Sequence, residues 1–292
     1  MTDRLIRAID KTGSIRAHLV IGKDLVEEAR QIHQTSKTAT AALGRSLLAG
    51  LLLRANLKNK EDSLTLNILG DGDLGRIVVT GHNKGQVKGY VDHPQADRPS
   101  RADKKLDVGG LVGHKGSLQV VMDLGLKEAY EGRVELVNGE IAEDVAYYLN
   151  QSEQVNSAVG LGVLVDKDLS VKQAGGFIIQ LLPGVKEETI SQLEKDLEGI
   201  QSVTKFLEEG MDLEELLKAL VPSFDMEIIH EEPVFFQCEC SREKVIDSIA
   251  SLPDEDIKEM IHEDHGAEIS CYFCKTSYQL NEEDLQEILT NR

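Results

Sequence analysis

The residues best equipped for chemistry are four cysteines, the only ones in the 292-residue chain, arranged as Cys238-Glu239-Cys240 and Cys271-Tyr272-Phe273-Cys274. Residues 241–270 separate the pairs. Two closely spaced thiol pairs joined by one loop can place four thiolates around a single tetrahedral ion, and for that donor set the ion is zinc. Three chemistries follow from the same residues. One is a zinc knuckle that only holds a small domain together. Another is a thiol oxidoreductase, which needs a C-x-x-C at a helix N-terminus in a βαβ setting. Here Lys275 to Leu280 reads as a strand and the C-x-C would be superfluous, so the architecture for an oxidoreductase is missing. The third is a redox switch, in which a metal keeps the sulfurs deprotonated and therefore open to oxidants.

The switch has a thermodynamic basis. Structural zinc contributes about 10–16 kcal/mol in small peptides, against roughly 5–15 kcal/mol for the stability of a whole domain. Its loss is expected to unfold residues 233–292 and expose Phe235, Phe236, Tyr272, Phe273 and Tyr278, five of the twelve aromatic residues. The short spacing within each pair suits disulfide formation between near neighbours, although the sequence permits all three pairings of four cysteines.

Other motifs carry less. Gly70-Asp71-Gly72-Asp73-Leu74-Gly75 fits G-x-G-x-x-G, but a dinucleotide site needs a helix to follow it. Arg76-Ile77-Val78-Val79-Thr80 is strand-like, and the aspartates repel phosphate, so a glycine-rich hairpin turn is expected. P-loop, nucleophile-elbow and H-E-x-x-H patterns are absent. His262 and His265 lie between the cysteine pairs, yet with four thiolates at hand they read as surface residues of a helix.

The elements that must position these groups read as an α+β protein in three parts. Residues 1–184 form an N-terminal domain of mixed, largely antiparallel sheet with helices. Strands are expected over residues 4–9 and 14–21, and a helix capped by Asp24 over 25–34. A second helix begins at Thr38 or Thr40; its broad apolar face includes Leu43, Leu47, Leu51 and Leu52, and Gly44 and Gly50 permit close approach. Short alternating runs between Ser63 and Leu124 read as hairpins, residues 141–151 as a helix after an Asn138-Gly139 turn, and 157–165 and 177–182 as further strands. Residues 185–232 read as an acidic linker of amphipathic helices. Residues 233–292 form a small zinc domain with helices over 243–251, 254–263 and 283–289.

Charge is distributed very unevenly. Residues 1–185 carry 23 acidic and 23 basic side chains, so the whole net charge of −19 lies beyond them. An acidic cysteine region argues against nucleic acid, since phosphate binding needs clustered Lys and Arg. Only eight uncharged residues separate Arg45 from Arg54 in the most apolar stretch, far short of the roughly 20 that a membrane helix requires. No basic-then-apolar leader opens the chain. A reducing, cytoplasmic setting is expected, where metal or redox chemistry outweighs permanent disulfides.

At this point the residues bring a family with them. The cysteine spacing, with Tyr278 four residues beyond Cys274, resembles the 33 kDa chaperonin family of redox-regulated heat-shock holdases. So do Tyr130-Glu131-Gly132-Arg133-Val134-Glu135-Leu136, Gly139-Glu140-Ile141-Ala142-Glu143-Asp144 and Tyr148-Leu149-Asn150-Gln151-Ser152-Glu153-Gln154. Ala174-Gly175-Gly176-Phe177, Gln180-Leu181-Leu182-Pro183 and Cys240-Ser241-Arg242-Glu243 complete the likeness, which spans the chain. The resemblance implies an ATP-independent chaperone and no catalytic residue. In the reduced state Cys238, Cys240, Cys271 and Cys274 hold one zinc ion and the protein is inactive. Oxidation forms Cys238–Cys240 and Cys271–Cys274 disulfides, expels zinc, unfolds the C-terminal region and loosens the linker. The activated protein dimerises and holds unfolding clients for ATP-driven refolding chaperones. On this reading the linker helices hide a leucine face, Leu213, Leu216, Leu217 and Leu220, against the N-terminal sheet until release frees it to bind clients. The competing expectation is a constitutive zinc-stabilised interaction module with no redox role.

Overall fold

The computed structural model describes residues 2–291 except Lys58, Lys60, Asn83 and Gln201. Two compact units make up the chain, Met1–Gln237 and Cys238–Arg292. Strands β1 (Arg4–Asp10) and β2 (Ile15–Ile21) form the expected first hairpin. Helix α1 (Lys23–His33) is not capped by Asp24, which lies in its first turn. The carboxylate of Asp3 accepts from the Leu25 amide at 2.7 Å instead, a cap delivered from the head of β1. Helix α2 (Lys37–Arg54) starts from Ser36, whose hydroxyl accepts from the Ala39 amide at 3.1 Å, rather than from Thr38 or Thr40. It is buried on nearly every side, which explains its lack of a polar face. Gly44 and Gly50 permit that burial, because an added Cβ would come within 2.6 Å of Val26 and 2.7 Å of Val79 respectively.

Strands β3 (Ser63–Gly70), β4 (Arg76–His82) and β5 (Gln86–Val91), a short helix α3 (Val108–Val112), and strands β6 (Gly116–Asp123) and β7 (Tyr130–Glu135) follow. Alternate residues Leu64, Leu66 and Ile68, facing Val79, Ile77, Leu118 and Val120, are buried, as their period-2 pattern predicts. The glycine–aspartate motif simply joins antiparallel β3 to β4. Helix α3 and strand β7 were not foreseen. The first contains two glycines and forms because Asp107 caps it; the second is a largely exposed edge strand with little apolar alternation. Helix α4 (Ala142–Gln151), β8 (Ser157–Val165) and β9 (Val171–Leu181) complete the expected set.

Beyond β9 the expectation of helices alone is corrected. Helices α5 (Glu187–Leu197), α6 (Val203–Glu208) and α7 (Leu213–Leu220) are present, but the chain then forms strand β10 (Met226–Pro233) and the two-residue strand β11 (Phe235–Phe236). β10 runs antiparallel to β1, from Asp10↔Met226 to Arg4↔Pro233 with a bulge at Ile229, and β11 pairs parallel to β5. The first compact unit therefore extends to Gln237, well past residues 184 and 232. The end of this unit at Gln237 was not visible in the sequence, because an exposed, glutamate-rich edge strand lacks an apolar run. Phe236 is buried in the core of this unit, edge-on to His33 at 6.5 Å. Phe235 and Phe236 thus belong to the first unit and not to the cysteine domain.

The first unit is layered. One sheet has the order β10-β1-β2-β9-β8, the other β11-β5-β4-β3-β6-β7. Helices α1, α2 and α4 share one hydrophobic core with the two sheets. The opposite face of the first sheet (Ile6, Ile15, Leu19, Ile21, Phe177, Ile179) packs a second core with α5, α6 and α7.

The second unit comprises α8 (Arg242–Ala250), α9 (Asp254–His262), β12 (Gly266–Ser270), β13 (Ser277–Asn281) and α10 (Glu282–Thr290), with the helices close to their expected positions. Its core is small: Val245, Ile249, Ile257, Ile261, Leu280, Leu285 and Ile288.

Candidate metal centre

Local structure delivers each thiol. Cys238 and Cys240 lie just before Ser241, whose hydroxyl caps α8 by accepting from the Lys244 amide at 3.3 Å. Cys271 and Cys274 lie in the turn between antiparallel β12 and β13. That turn is closed by the Cys271 amide on Thr276 O and the Lys275 amide on Cys271 O, both at 2.9 Å, with Lys275 left-handed at φ 60°. Arg242, at the head of α8, donates to Gln279 O on β13 at 2.7 Å and to Asp284 on α10 at 2.7 Å. This clamp holds the first cysteine pair beside the hairpin that carries the second.

All four Sγ atoms lie within 4.8 Å of one another. Cys238 and Cys271 approach to 3.7 Å, and Cys240 and Cys274 to 3.3 Å. A tetrahedron with Zn–S bonds of about 2.3 Å has S···S edges of about 3.8 Å. With approaches of 3.3 and 3.7 Å and every pair within 4.8 Å, the sulfurs are near enough to share one ion of zinc's size, and an all-thiolate set suits such a cation. His262 is no part of the cluster. His265 is engaged elsewhere, with Nδ1 2.7 Å from Glu282.

Burial and crowding act unequally on the four thiols. Burial, with neighbouring sulfurs adding to it, pushes Cys238 up to about 12, and burial also raises Cys240. At Cys274 burial acts the same way, but hydrogen bonding by the Thr276 hydroxyl and amide outweighs it and brings the thiol down to about 7. Thr276 Oγ1 lies 3.2 Å from Cys274 Sγ, and the Tyr278 hydroxyl donates to Cys240 Sγ at 3.1 Å. These hydroxyls support sulfur as an anion and orient the ligands. The role of Thr276 escaped the sequence reading. Its only signal there is position, two residues past the last cysteine at the entry to a strand.

The remaining residues named from the sequence lie in the first unit. Leu213, Leu216, Leu217 and Leu220 are all buried on the sheet-facing side of α7. Asp212 and Glu215 form a reciprocal capping box at its start. Arg4 on β1 holds Glu214 at 2.5 Å, and Lys172 on β9 holds Glu208 of α6 at 2.7 Å. The Glu214 partner raises the Arg4 pKa, and Arg4 lowers that of Glu214.

A family model described as Hsp33 protein matches residues 3–281. A 33 kDa chaperonin of Clostridium botulinum (strain Langeland) is 45% identical over 291 residues, spanning 100% of this chain and 98% of the relative. One from Desulforamulus reducens is 46% identical over 289 residues, spanning 99% and 98%. The crystal structure of the 33 kDa chaperonin (heat shock protein 33 homolog) of Thermotoga maritima superimposes with a TM-score of 0.91 at 34% identity, covering 100% of this chain and 99% of that one.

Proposed function

The chain belongs to the Hsp33 protein family, and from that premise we propose that it is a redox-controlled, ATP-independent holdase whose four-cysteine cluster is the sensor. The chaperone role comes with the family, whose curated relatives are named chaperonins. One observation carries the finer reading: the only four thiols of the chain converge within 4.8 Å.

In the reduced state Cys238, Cys240, Cys271 and Cys274 hold one zinc ion. When bound, zinc supplies the positive charge that lets four crowded sulfurs remain thiolates, together with the cross-link that a seven-residue core needs. The accessible sulfurs are then nucleophiles for an oxidant. Joining two thiolates forms one S–S bond and releases two electrons; these break the O–O bond of one peroxide, which takes up two protons and leaves as two waters. Two such events consume all four ligands. A disulfide sulfur carries no charge to hold a cation, so the donor set is gone.

The pairing is proposed as Cys238–Cys240 and Cys271–Cys274. The shortest S···S approaches run between the pairs, but all four sulfurs are near neighbours, so reduced-state distance does not select. The within-pair set is the one that the family resemblance implies.

Loss of the cross-link unfolds the second unit and frees α5 to α7 from the sheet. Leu213, Leu216, Leu217 and Leu220 then become a mobile apolar surface, and the acidic residues around them keep it soluble. Clients without fixed shape suit such an adaptable surface. In this scheme the activated protein dimerises, works in the cytoplasm and passes clients to ATP-driven chaperones, with no role for nucleic acid or membrane. Among the described residues no helix is long and apolar enough to cross a membrane.

The test treats zinc-loaded, reduced protein with hydrogen peroxide at elevated temperature. Zinc release, free thiol count and suppression of client aggregation are followed together, and peptide mapping identifies the disulfides. All three signals should change in step. Zinc release without any gain in suppression would instead identify a constitutive zinc-stabilised interaction module.

A further inference from the structure

Between the two sheets of the first unit lies a cavity of about 100 Å³. Strands β2 and β9, strands β3 and β6, and the ends of α2 and α4 enclose it. Leu53, Leu64, Val120, Met122, Leu149 and Val155 make most of its lining apolar. Arg16 on β2 lines it too, half-buried, and burial lowers its pKa. Arg30, Arg45 and Arg54 each hold a carboxylate at 2.6 Å, whereas Arg16 holds none among the described residues. Its guanidinium is nevertheless fixed. Nε donates to Gln180 Oε1 at 2.8 Å, the buried Gln180 donates from Nε2 to Ser157 Oγ at 3.0 Å, and that hydroxyl donates to Val155 O at 2.9 Å. This chain engages Nε alone and leaves both terminal nitrogens of Arg16 for another acceptor.

We propose that this cavity binds a short aliphatic monocarboxylate, with Arg16 holding the anion and the apolar wall seating its tail. A cation drawn out of water gains from an anion that matches its planar fork, and a carboxylate accepts from both terminal nitrogens at once. Phosphate would leave oxygens against apolar walls with no donor, a costly arrangement; a carboxylate places only carbon there. A cavity of this volume holds about four to six non-hydrogen atoms, since one of about 150 Å³ takes benzene. Glu153 also lines the cavity and accepts from the Tyr148 hydroxyl at 2.7 Å. Its charge repels a second carboxylate and so excludes diacids. The site stands apart from the redox reading, because its lining comes from neither the cysteine unit nor α5 to α7.

The probe is butyrate, titrated into full-length reduced protein that carries carbon-13 at its five methionine methyl groups. The Met122 resonance, assigned with Met122→Leu, reports on the cavity wall. Butyrate should shift it saturably, with a Kd of about 1 mM. Butylamine, which reverses the charge, succinate, which adds a second, and octanoate, which is too long, should each bind at least about tenfold more weakly. Arg16→Gln should weaken butyrate by about tenfold or more. Should that variant fold poorly, Val155→Phe carries the test: it fills the cavity from the segment before β8, keeps Arg16, and should abolish binding. No saturable shift at Met122, equal binding of butyrate and butylamine, or full butyrate affinity in either folded variant overturns the proposal.

Discussion

Replacing Leu213 and Leu217 with Ser tests whether docking of α7 is what conceals the binding surface. Both side chains are at most 3% exposed and lie one helical turn apart on the face against the sheet. Truncating a buried leucine costs about 2–5 kcal/mol; for two neighbours sharing one pocket a combined loss of about 4–8 kcal/mol is expected. Little remains to offset it. An eight-residue helix cannot sustain itself in water. The Arg4–Glu214 pair, with side chains 22% and 36% exposed, contributes at most about 1 kcal/mol. The undocked population of α7 should therefore rise by about a thousandfold or more while the cysteine cluster keeps its metal. Amide exchange over residues 213–220 and limited proteolysis report opening, zinc content reports the cluster, and aggregation of a heat-unfolded client reports function. The expected result is fast exchange, one zinc per chain and partial holdase activity without oxidant. An open, protease-sensitive α7 with no gain in activity would refute the reasoning and place client binding elsewhere.

Three further outcomes are expected. Replacing all four cysteines with Ser should abolish zinc binding and melt the second unit, seen as lost helicity and a changed environment for Tyr272, Phe273 and Tyr278, with constitutive client binding; a compact, inactive variant contradicts the scheme. Tyr278→Phe, which removes the hydroxyl on Cys240 Sγ, should weaken zinc by about tenfold or more in a chelator competition, and unchanged affinity would deny it a ligand-orienting role. His18 is held down to about 4, chiefly by its burial. Since the unfolded chain takes up this proton near pH 6.5, native stability should fall by about 3 kcal/mol as pH drops from 6.5 to about 4. His18→Asn should lack that component in urea midpoints measured across the range, and identical profiles would exclude His18 as the cause.

The convergence of the four cysteines could be read from the sequence because it depends on residue type and spacing. Four thiols in two short pairs offer one ion a full donor set, whatever the intervening fold. The hairpins from β3 to β6 and the amphipathic helices α5, α7, α8, α9 and α10 were equally visible, since period 2 and period 3.6 are local signals. The cap of α1 shows where that legibility ends, because Asp3 reaches the Leu25 amide only through the fold that brings the head of β1 to the helix.

What the tertiary structure alone decided is where each segment's surface goes. Residues 226–236 have the composition of a solvated acidic linker, yet pairing with β1 and β5 joins them to the first unit and moves Phe235 and Phe236 out of the cysteine domain. Likewise no local pattern announces that Gly162 and Gly175 stand opposite each other under α6. Strand partnership and helix docking are settled by backbone hydrogen bonds and packing between residues far apart in the chain. A single sequence read in short windows records the groups that need burial, and only the assembled sheet determines which partner buries them.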